Sequence, residues 1–427
     1  MMSSILTNTS AMVALQTLKG INANLNKTQD EISTGKSVAT ARDNSAVWAI
    51  SKVMEADVKG FTAISASLAL GSTTIGVASN AAETVTNLLT DMKQKIVAAQ
   101  EDNVDRGKIQ TDIKAMAAQI KSVTDAAQFN GLNMLSNKTN KVGVGTVDVL
   151  SSLDRSSSAV TAANITVGRQ DLTTSQAVLG AAISTAVGSA AVLNATQSVT
   201  ITMAPATVIT AGMGFSISLA ATAPATGAKY TAANYTTGTA LADQNKIAYV
   251  ARDGDSQADV MRGLAGALAG FMSASGLDTD VLSVSASSNT LTVASKVSDA
   301  DHTITVSAFS GATAATNIIG GGLAALDKFD VSTKGGAKSA LMGVESMLQT
   351  SIAAAAKFGS AQGRINIQAS FVSKLTDSLK AGIGSMVDAD MEEASARLQA
   401  LQVQQQLSIQ ALSIANQAPQ NILALFR

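Results

Sequence analysis

Between Phe61 and Ala99 the apolar positions recur in a strict three-four alternation: Phe61, Ile64, Leu68, Gly71, Ile75, Ala78, Ala82, Val85, Leu89, Met92, Ile96, Ala99. A stripe held for about five heptads is the seam of a coiled coil and outlasts the helices of an ordinary globular domain. No proline interrupts it, and at ~1.5 Å per residue it predicts a rod of roughly 60 Å. A seam needs partners of the same period, and the chain has two. Ile109, Ile113, Met116, Ile120, Val123 and Ala127 continue the pattern after a short break. Far along the chain, Leu341, Val344, Leu348, Ala355, Phe358, Ile365, Ala369, Val372, Leu379, Ile383 and Met386 repeat it, with Ser351, Gln362 and Thr376 as polar interruptions. Residues near 100 and near 360 are therefore expected to share one bundle: the chain leaves as a rod, builds something else, and returns as a rod.

Both ends carry shorter helical patterns. Residues 1–10 are polar and read as a flexible start. From Ala11 a heptad runs Ala11, Ala14, Leu18, Ile21, Leu25, Thr28, Ile32 and stops at Ser33-Thr34-Gly35, where glycine supplies the C-cap. Residues 36–47 read as an irregular connector. Helical arms follow over 48–100 and 105–127, broken by the turn-prone Glu101-Asp102-Asn103, and the second ends at Gln128-Phe129-Asn130-Gly131. The return helix is predicted over 334–384, loosened at Gly382 and Gly384, and a last helix over 388–416, before Pro419. In that last helix Leu398 and Leu401 lie on one side, Val403, Leu407 and Ile414 on another. A helix apolar on more than one side is buried on more than one side. A terminal helix of this kind is expected to pack on its N-terminal partner and on neighbouring molecules. Neither terminal helix is secure alone in water.

The middle of the chain has a different period. Residues 140–180 are rich in Val, Ser, Thr and Gly, and Val142–Leu150 and Asn164–Val167 read as strands. From 181 to 322 no heptad is sustained. Ser198–Met203, Gly214–Leu219, Lys246–Val250, Val281–Ala286, Thr290–Ala294 and His302–Val306 alternate as strands do. Asp253-Gly254-Asp255 reads as a turn. Ser256-Gln257-Ala258-Asp259 resembles a capping box ahead of a helix over 257–273. Ser287-Ser288-Asn289 is a hairpin turn, and Gly320-Gly321-Gly322 marks the exit. The fold class is thus multi-domain: long α-helical coiled-coil rods formed by both chain ends, with a β-rich or α+β inserted outer domain.

Composition narrows the function. Aromatics are 3% and charges 14% of the 427 residues, which fits tight packing of small side chains in extended bundles. The net charge of −1 gives no electrostatic reason to bind nucleic acid or an anionic membrane, and lowers the barrier to self-association. With no cysteine, disulfides, thiolate metal sites and cysteine nucleophiles are excluded. No continuous apolar run reaches ~18 residues, so membrane insertion is not expected. The start lacks the basic and apolar regions of a cleaved secretory signal. No catalytic constellation, cofactor site or metal site is expected. His302, the single histidine, reads as a surface or turn residue. Asp388, Asp390, Glu392 and Glu393 fit a first helical turn, where carboxylates complement the macrodipole. Asp253-Gly254-Asp255 lacks a calcium loop's twelfth-position glutamate, having Leu264 there. Asn164-Ile165-Thr166 and Asn234-Tyr235-Thr236 are cheap sequon matches in a Thr-rich chain, and O-linked sugar on the insert stays open.

The chain ends resemble bacterial flagellin. The matching residues are Thr7-Asn8-Thr9-Ser10-Ala11, Ile32-Ser33-Thr34-Gly35, Ala41-Arg42-Asp43-Asn44 and the Gln128–Gly131 turn with Leu135. On the C-terminal side they are Asp388-Ala389-Asp390-Met391-Glu392, the run Gln402–Gln406, and Ala415-Asn416-Gln417-Ala418-Pro419-Gln420-Asn421, ending Leu423-Ala424-Leu425-Phe426-Arg427. The resemblance covers about 1–140 and 335–427, and the Gln-rich helix and the ending look most like alphaproteobacterial flagellins.

The resemblance implies a structural subunit, not an enzyme, that self-assembles into the extracellular flagellar filament used for swimming. It implies a terminal-helix inner-tube domain (1–44 and 387–427), a helical-rod outer-tube domain with a small β region (45–180 and 323–386), and an inserted surface-exposed domain (181–322). Assembly would rest on Leu18, Ile21, Leu25, Ile32, Leu398, Leu401, Val403, Leu407, Ile414, Leu423 and Leu425, with the seam positions as the rod core. Implied partners are further copies of the chain, the flagellar cap and hook-associated proteins, and an export chaperone, with type III export that uses no cleaved signal peptide. In flagellins recognised by Toll-like receptor five, a basic-apolar patch on the first rod carries an Arg and a Leu. The aligned positions here are Asp91 and Lys95, which implies weakened recognition. Two rival readings stand beside the filament subunit: a hook–filament junction protein, and a secreted rod-like adhesin whose insert binds a ligand.

Overall fold

The computed structural model describes residues 8–425 apart from 156–159, 195, 224–227 and 298–301; for Arg155, Val160 and residues 418–425 it describes the backbone only. Two compact units emerge, Met1–Ser65 with Ser370–Arg427, and Ala66–Ala369. Two long helices, α2 (Ser45–Ala98) and α6 (Lys334–Val387), contribute residues to both units.

The first unit pairs α1 (Thr9–Thr34) with α7 (Met391–Leu425). Three hydrogen bonds set an antiparallel register: Asn8 Nδ2 to the Ala415 carbonyl at 2.9 Å, Gln405 Nε2 to Asn22 Oδ1 at 2.7 Å, and Ala389 N to the Gly35 carbonyl at 3.0 Å. Gly35 closes α1 in the left-handed region (φ 69°), as its place after Thr34 predicts. Helix α1 begins before Ala11, capped by the Asn8 side chain, so residues 9 and 10 are helical; residues 1–7 lie outside the described residues. Helix α6 runs three residues past Gly384. The acidic cluster behaves as expected of a first turn, with Asp390 Oδ1 accepting from Glu392 N and Glu393 N.

Within Ala66–Ala369, α2 and α6 run antiparallel, tied by Ser72–Asn366, Thr86–Ser351 and Lys93–Glu345 contacts, and Asp102 in the turn after α2 pairs with Lys334 at the start of α6. The seam points inward: Leu68, Ile75, Val85, Leu89, Met92, Ile96 and Phe358 are fully or almost fully buried. The polar interruption Ser351 is buried because its hydroxyl is satisfied by Thr86 Oγ1 and the Ala82 carbonyl. Helix α3 (Arg106–Ala126) adds Ile113 and Ile120 to the same core. Helix α2 also contains a stretch of mean hydropathy 1.4, long and apolar enough to cross a membrane by length and composition. It holds no continuous apolar run, because its seam residues alternate with Ser, Thr and Asn.

After α3 the short strands β1 (Gln128–Phe129) and β2 (Leu132–Asn133) form a hairpin about Asn130 and Gly131, both at positive φ. Strands β3 (Thr146–Arg155) and β4 (Val160–Gly168) pair antiparallel with a bulge at Ser151. The expected strand at 142–150 thus starts later. Gly143 turns with φ 85°, and its amide, with that of Gly145, donates to Asp253 Oδ2. Gly71 sits in the seam because Val149 lies against it: an added Cβ would fall 2.6 Å from Val149 Cγ1.

The insert is one hydrophobic core between two sheets and a helix. Strands β5 (Thr185–Ala186) and β6 (Ala191–Asn194), which the sequence reading missed, pair with β12 (Thr303–Thr313). Strand β12 also pairs with β8 (Met213–Thr222), and β8 with β9 (Ala248–Val250), after the single turn α4 (Leu241–Gln244). Strand β12 is more than twice the expected 302–306 because β8 offers it a full-length ladder. The second sheet is β10 (Ser283–Ser287), β11 (Thr290–Ala294) and β7 (Ser198–Thr202). Helix α5 (Gln257–Ala274) lies on both sheets and starts with a complete Ser256/Asp259 capping box. Burial pushes the Asp259 carboxyl up, but hydrogen bonds from Ser256 and the nearby Arg262 hold it below the usual range. The reading of His302 as a surface or turn residue is corrected: it is fully buried, edge-on to Tyr230 at 5.8 Å between ring centroids.

Candidate assembly surface

The terminal helices present two kinds of apolar position. Leu18, Ile21, Leu25 and Ile32 on α1 and Leu398 on α7 are half-buried, and Leu401 is 9% exposed. On the other side of α7, Leu407 is 58% and Ile414 68% exposed, and Val403 is exposed as well. The two-sided pattern of the last helix is thus present in space: one side faces α1 and the other is uncovered. The sequence reading missed Ile409 on α7 and Met12, Val13 and Leu15 on α1, all exposed. Met12 and Leu15 form a second i, i+3 phase on α1, distinct from its heptad. The side chains of Leu423 and Leu425 lie outside the described residues.

Few charges interrupt this surface. Arg397 pairs with Glu393 at 2.5 Å one turn into α7, and beyond it the uncovered side is flanked by glutamines 402, 404, 406 and 410. Glutamine can hydrogen-bond across an interface without bringing a charge to be desolvated.

The expected stop before Pro419 is also corrected: α7 continues through it to Leu425. Proline has no N–H, so it leaves the carbonyl four residues earlier without its helical donor. That carbonyl belongs to Ala415, and Asn8 Nδ2 fills the vacancy, while Asn8 Oδ1 caps α1 by accepting from Ala11 N at 3.0 Å. One side chain therefore serves both helix ends. Asn8→Asp keeps the acceptor and loses the donor. It should cost about 1 kcal/mol of helix pairing, read as roughly fivefold faster amide exchange in α1 and α7. Pro419→Ala restores the main-chain donor, so Asn8→Asp in that background should change exchange little. Equal effects in both backgrounds would break the link.

In the seam, Ile64, Leu68, Ile75, Val85, Leu89, Met92, Ile96, Ile113, Ile120, Phe358 and Val372 are buried, while Phe61, Leu348 and Leu379 are half-buried. Asp91 is exposed, and Lys95 pairs with Asp112 at 2.9 Å. No group of three or more metal-ligating side chains occurs among the described residues. Asp253 and Asp255 are committed to internal partners: two glycine amides for the first, the Tyr249 hydroxyl and the Arg252 amide for the second.

Two family models match the chain, the bacterial flagellin N-terminal helical region over residues 5–140 and the C-terminal helical region over 341–426. The chain is 35% identical to Flagellin A of Rhizobium meliloti over 427 residues, covering all of both proteins. It is 34% identical to Flagellin B of the same organism and 29% to a flagellin of Brucella melitensis, again over the full length of each chain. Among solved structures, FliC from Burkholderia pseudomallei is similar at 15% identity, covering 69% of this chain and 99% of that one, with a TM-score of 0.30. The flagellar hook associated protein-3 of Legionella pneumophila is similar at 10% identity, covering 78% and 98%, with a TM-score of 0.38.

Proposed function

The chain belongs to the bacterial flagellin family, and from that premise we propose that it enters the flagellar filament through the side of the terminal helices that the isolated chain leaves uncovered. Its function is that of a structural subunit of the extracellular filament that drives swimming. The observation that carries the assembly reading is the division of α7, with Leu401 turned to α1 and Leu407 and Ile414 open. In a polymer these side chains leave water. Fully burying a leucine or isoleucine contributes about 1.5–3 kcal/mol, enough for a few per subunit to bias the terminal helices towards the assembled state. In this reading 1–44 and 387–427 form the inner tube, 45–180 and 323–386 the outer tube, and 181–322 the exposed domain. Export by the type III route without a cleaved peptide, under a chaperone and a cap protein, accompanies it, and the chain performs no catalysis.

A deletion tests the reading. Deleting residues 181–322 removes a domain with its own core and leaves the helical seam, so the shortened chain should still form long filaments by electron microscopy after seeding. Loss of all polymerisation with retained helicity would assign the insert an assembly role. We also infer weak recognition by Toll-like receptor five. Asp91 brings a carboxylate where the recognised pattern is basic and apolar, and like-charge or desolvated placements cost binding energy. Receptor-bearing reporter cells should respond roughly tenfold or more weakly to the purified protein than to a recognised flagellin. Strong activation would overturn the inference.

A further inference from the structure

A cleft of about 620 Å³ opens between the face of α6 carrying Lys357 and Arg364, the end of β4, and the turn before α5. Charges of both signs line it, but they are unequally engaged. Asp171 accepts from Asn137 N and from the amide and hydroxyl of Thr173. Asp253 takes the Gly143 and Gly145 amides, Asp255 the Tyr249 hydroxyl and Arg252 amide, and Asp259 the Ser256 hydroxyl and Arg262. The carboxylates are thus all in use.

The cations are engaged less completely. Arg252 is only 8% exposed. Its Nε donates to the Gly320 carbonyl at 3.2 Å and its Nη1 lies 3.9 Å from Asp255, yet its Nη2 is buried with no acceptor. Arg169 Nε is buried without an acceptor as well. Lys357 reaches Gln170 Oε1 at 3.2 Å, and Arg364 has no polar partner among the described residues. Burial opposes the Arg252 charge, but Tyr249, Asp255 and Asp171 outweigh it and hold its pKa above the ordinary value, so the guanidinium stays charged. Leaving a buried charged donor unpaired costs more than the neutral case. A guanidinium matches a planar or tetrahedral group of anionic oxygens, which accept without donating.

We propose that this cleft is an oxyanion-binding site. It takes a carboxylate, phosphate or sulfate group held by the exposed Lys357 and Arg364 of α6, with the guanidiniums of Arg252 and Arg169 adding charge from the cleft wall. The anion is either a free ion or a carboxylate of a neighbouring copy, and the site stands independently of how the terminal helices assemble.

Inorganic phosphate is titrated into the full-length monomer at constant ionic strength balanced with chloride, following the thermal midpoint and the heat of binding. The same is done for the Lys357→Gln/Arg364→Gln double variant, whose substituted side chains are exposed. A saturable rise in the wild-type midpoint, with affinity at least about tenfold weaker in the variant, supports a free-anion site. No phosphate binding to the monomer, together with variant filaments that dissociate at a lower temperature than wild-type filaments, assigns the anion to a neighbour's carboxylate. An equal shift in both proteins is a general salt effect. That result, or no effect in either monomers or filaments, overturns the proposal.

Discussion

Replacing Leu407 by Asp should stop filament growth while leaving the subunit folded. Leu407 is 58% exposed on the side of α7 turned away from α1, so an aspartate there meets water in the monomer and disturbs little of the intramolecular packing. In the filament packing proposed above the same position is enclosed by neighbours, where a carboxylate without a partner costs several kcal/mol. A penalty of about 3 kcal/mol raises the critical concentration roughly a hundredfold. Leu407→Ala loses only the transfer term, about 2 kcal/mol, and should grow filaments at roughly thirtyfold higher concentration. Leu401→Asp should behave differently, because Leu401 is 9% exposed against α1; it should lower monomer helicity as well. Pelleting of seeded polymer with far-UV circular dichroism of the supernatant separates the three. Wild-type growth by Leu407→Asp would mean that another side of α7 carries the contact.

The second large effect is expected at Gly321. Its amide donates to the Ser175 carbonyl at 2.7 Å, and the neighbouring Gly322 and Leu323 amides donate to the Asp171 and Thr173 carbonyls. This ladder leaves no room for a side chain: a Cβ on Gly321 would lie 1.7 Å from the Thr173 carbonyl oxygen, and one on Gly322 would lie 2.2 Å from that of Asp171. Backbone atoms held in hydrogen bonds cannot step aside as a flexible side chain can. Gly321→Ala should therefore cost about 3 kcal/mol, at the upper end of overpacking effects, lowering the thermal midpoint by several degrees. Gly363→Ala is the counterpart. Nothing lies within 4 Å of its added Cβ, and within helix α6 the change should stabilise by about 0.5–1 kcal/mol. Equal midpoints for Gly321→Ala and wild type would show that the two segments do not approach so closely.

The seam was legible because burial in a long helix pair obeys one period. Ile64, Leu68, Ile75 and Leu89 needed only the three-four count to be placed in the core, and Gly35 and the Ser256/Asp259 box needed only local rules. Strands were legible in existence and less so in extent. β12 grew to match β8, and β5 and β6 were missed because such short strands are defined by the partner they meet. The helix through Pro419 was misread for a related reason. A proline reads as a stop when only its own segment is considered, and Asn8, far away in sequence, supplies the donor that removes the conflict. The exposed apolar positions of the terminal helices were half legible: Val403, Leu407 and Ile414 broke the phase set by Leu398 and Leu401, whereas Met12 and Val13 were hidden behind the α1 heptad.

By itself the sequence determined the helical ends, the antiparallel return of the rod, the β-rich middle and the family, because each rests on periodicity or on motifs that short-range geometry enforces. Tertiary structure alone decided the burial of His302 beside Tyr230 and the need for glycine at Gly321. It also decided the donation from Asn8 to Ala415 and the gathering of Arg169, Arg252, Lys357 and Arg364 around one cleft. Those features join residues tens to hundreds of positions apart. Which atoms meet there depends on how sheets, turns and helices close on one another, and no local pattern in the chain encodes that distance.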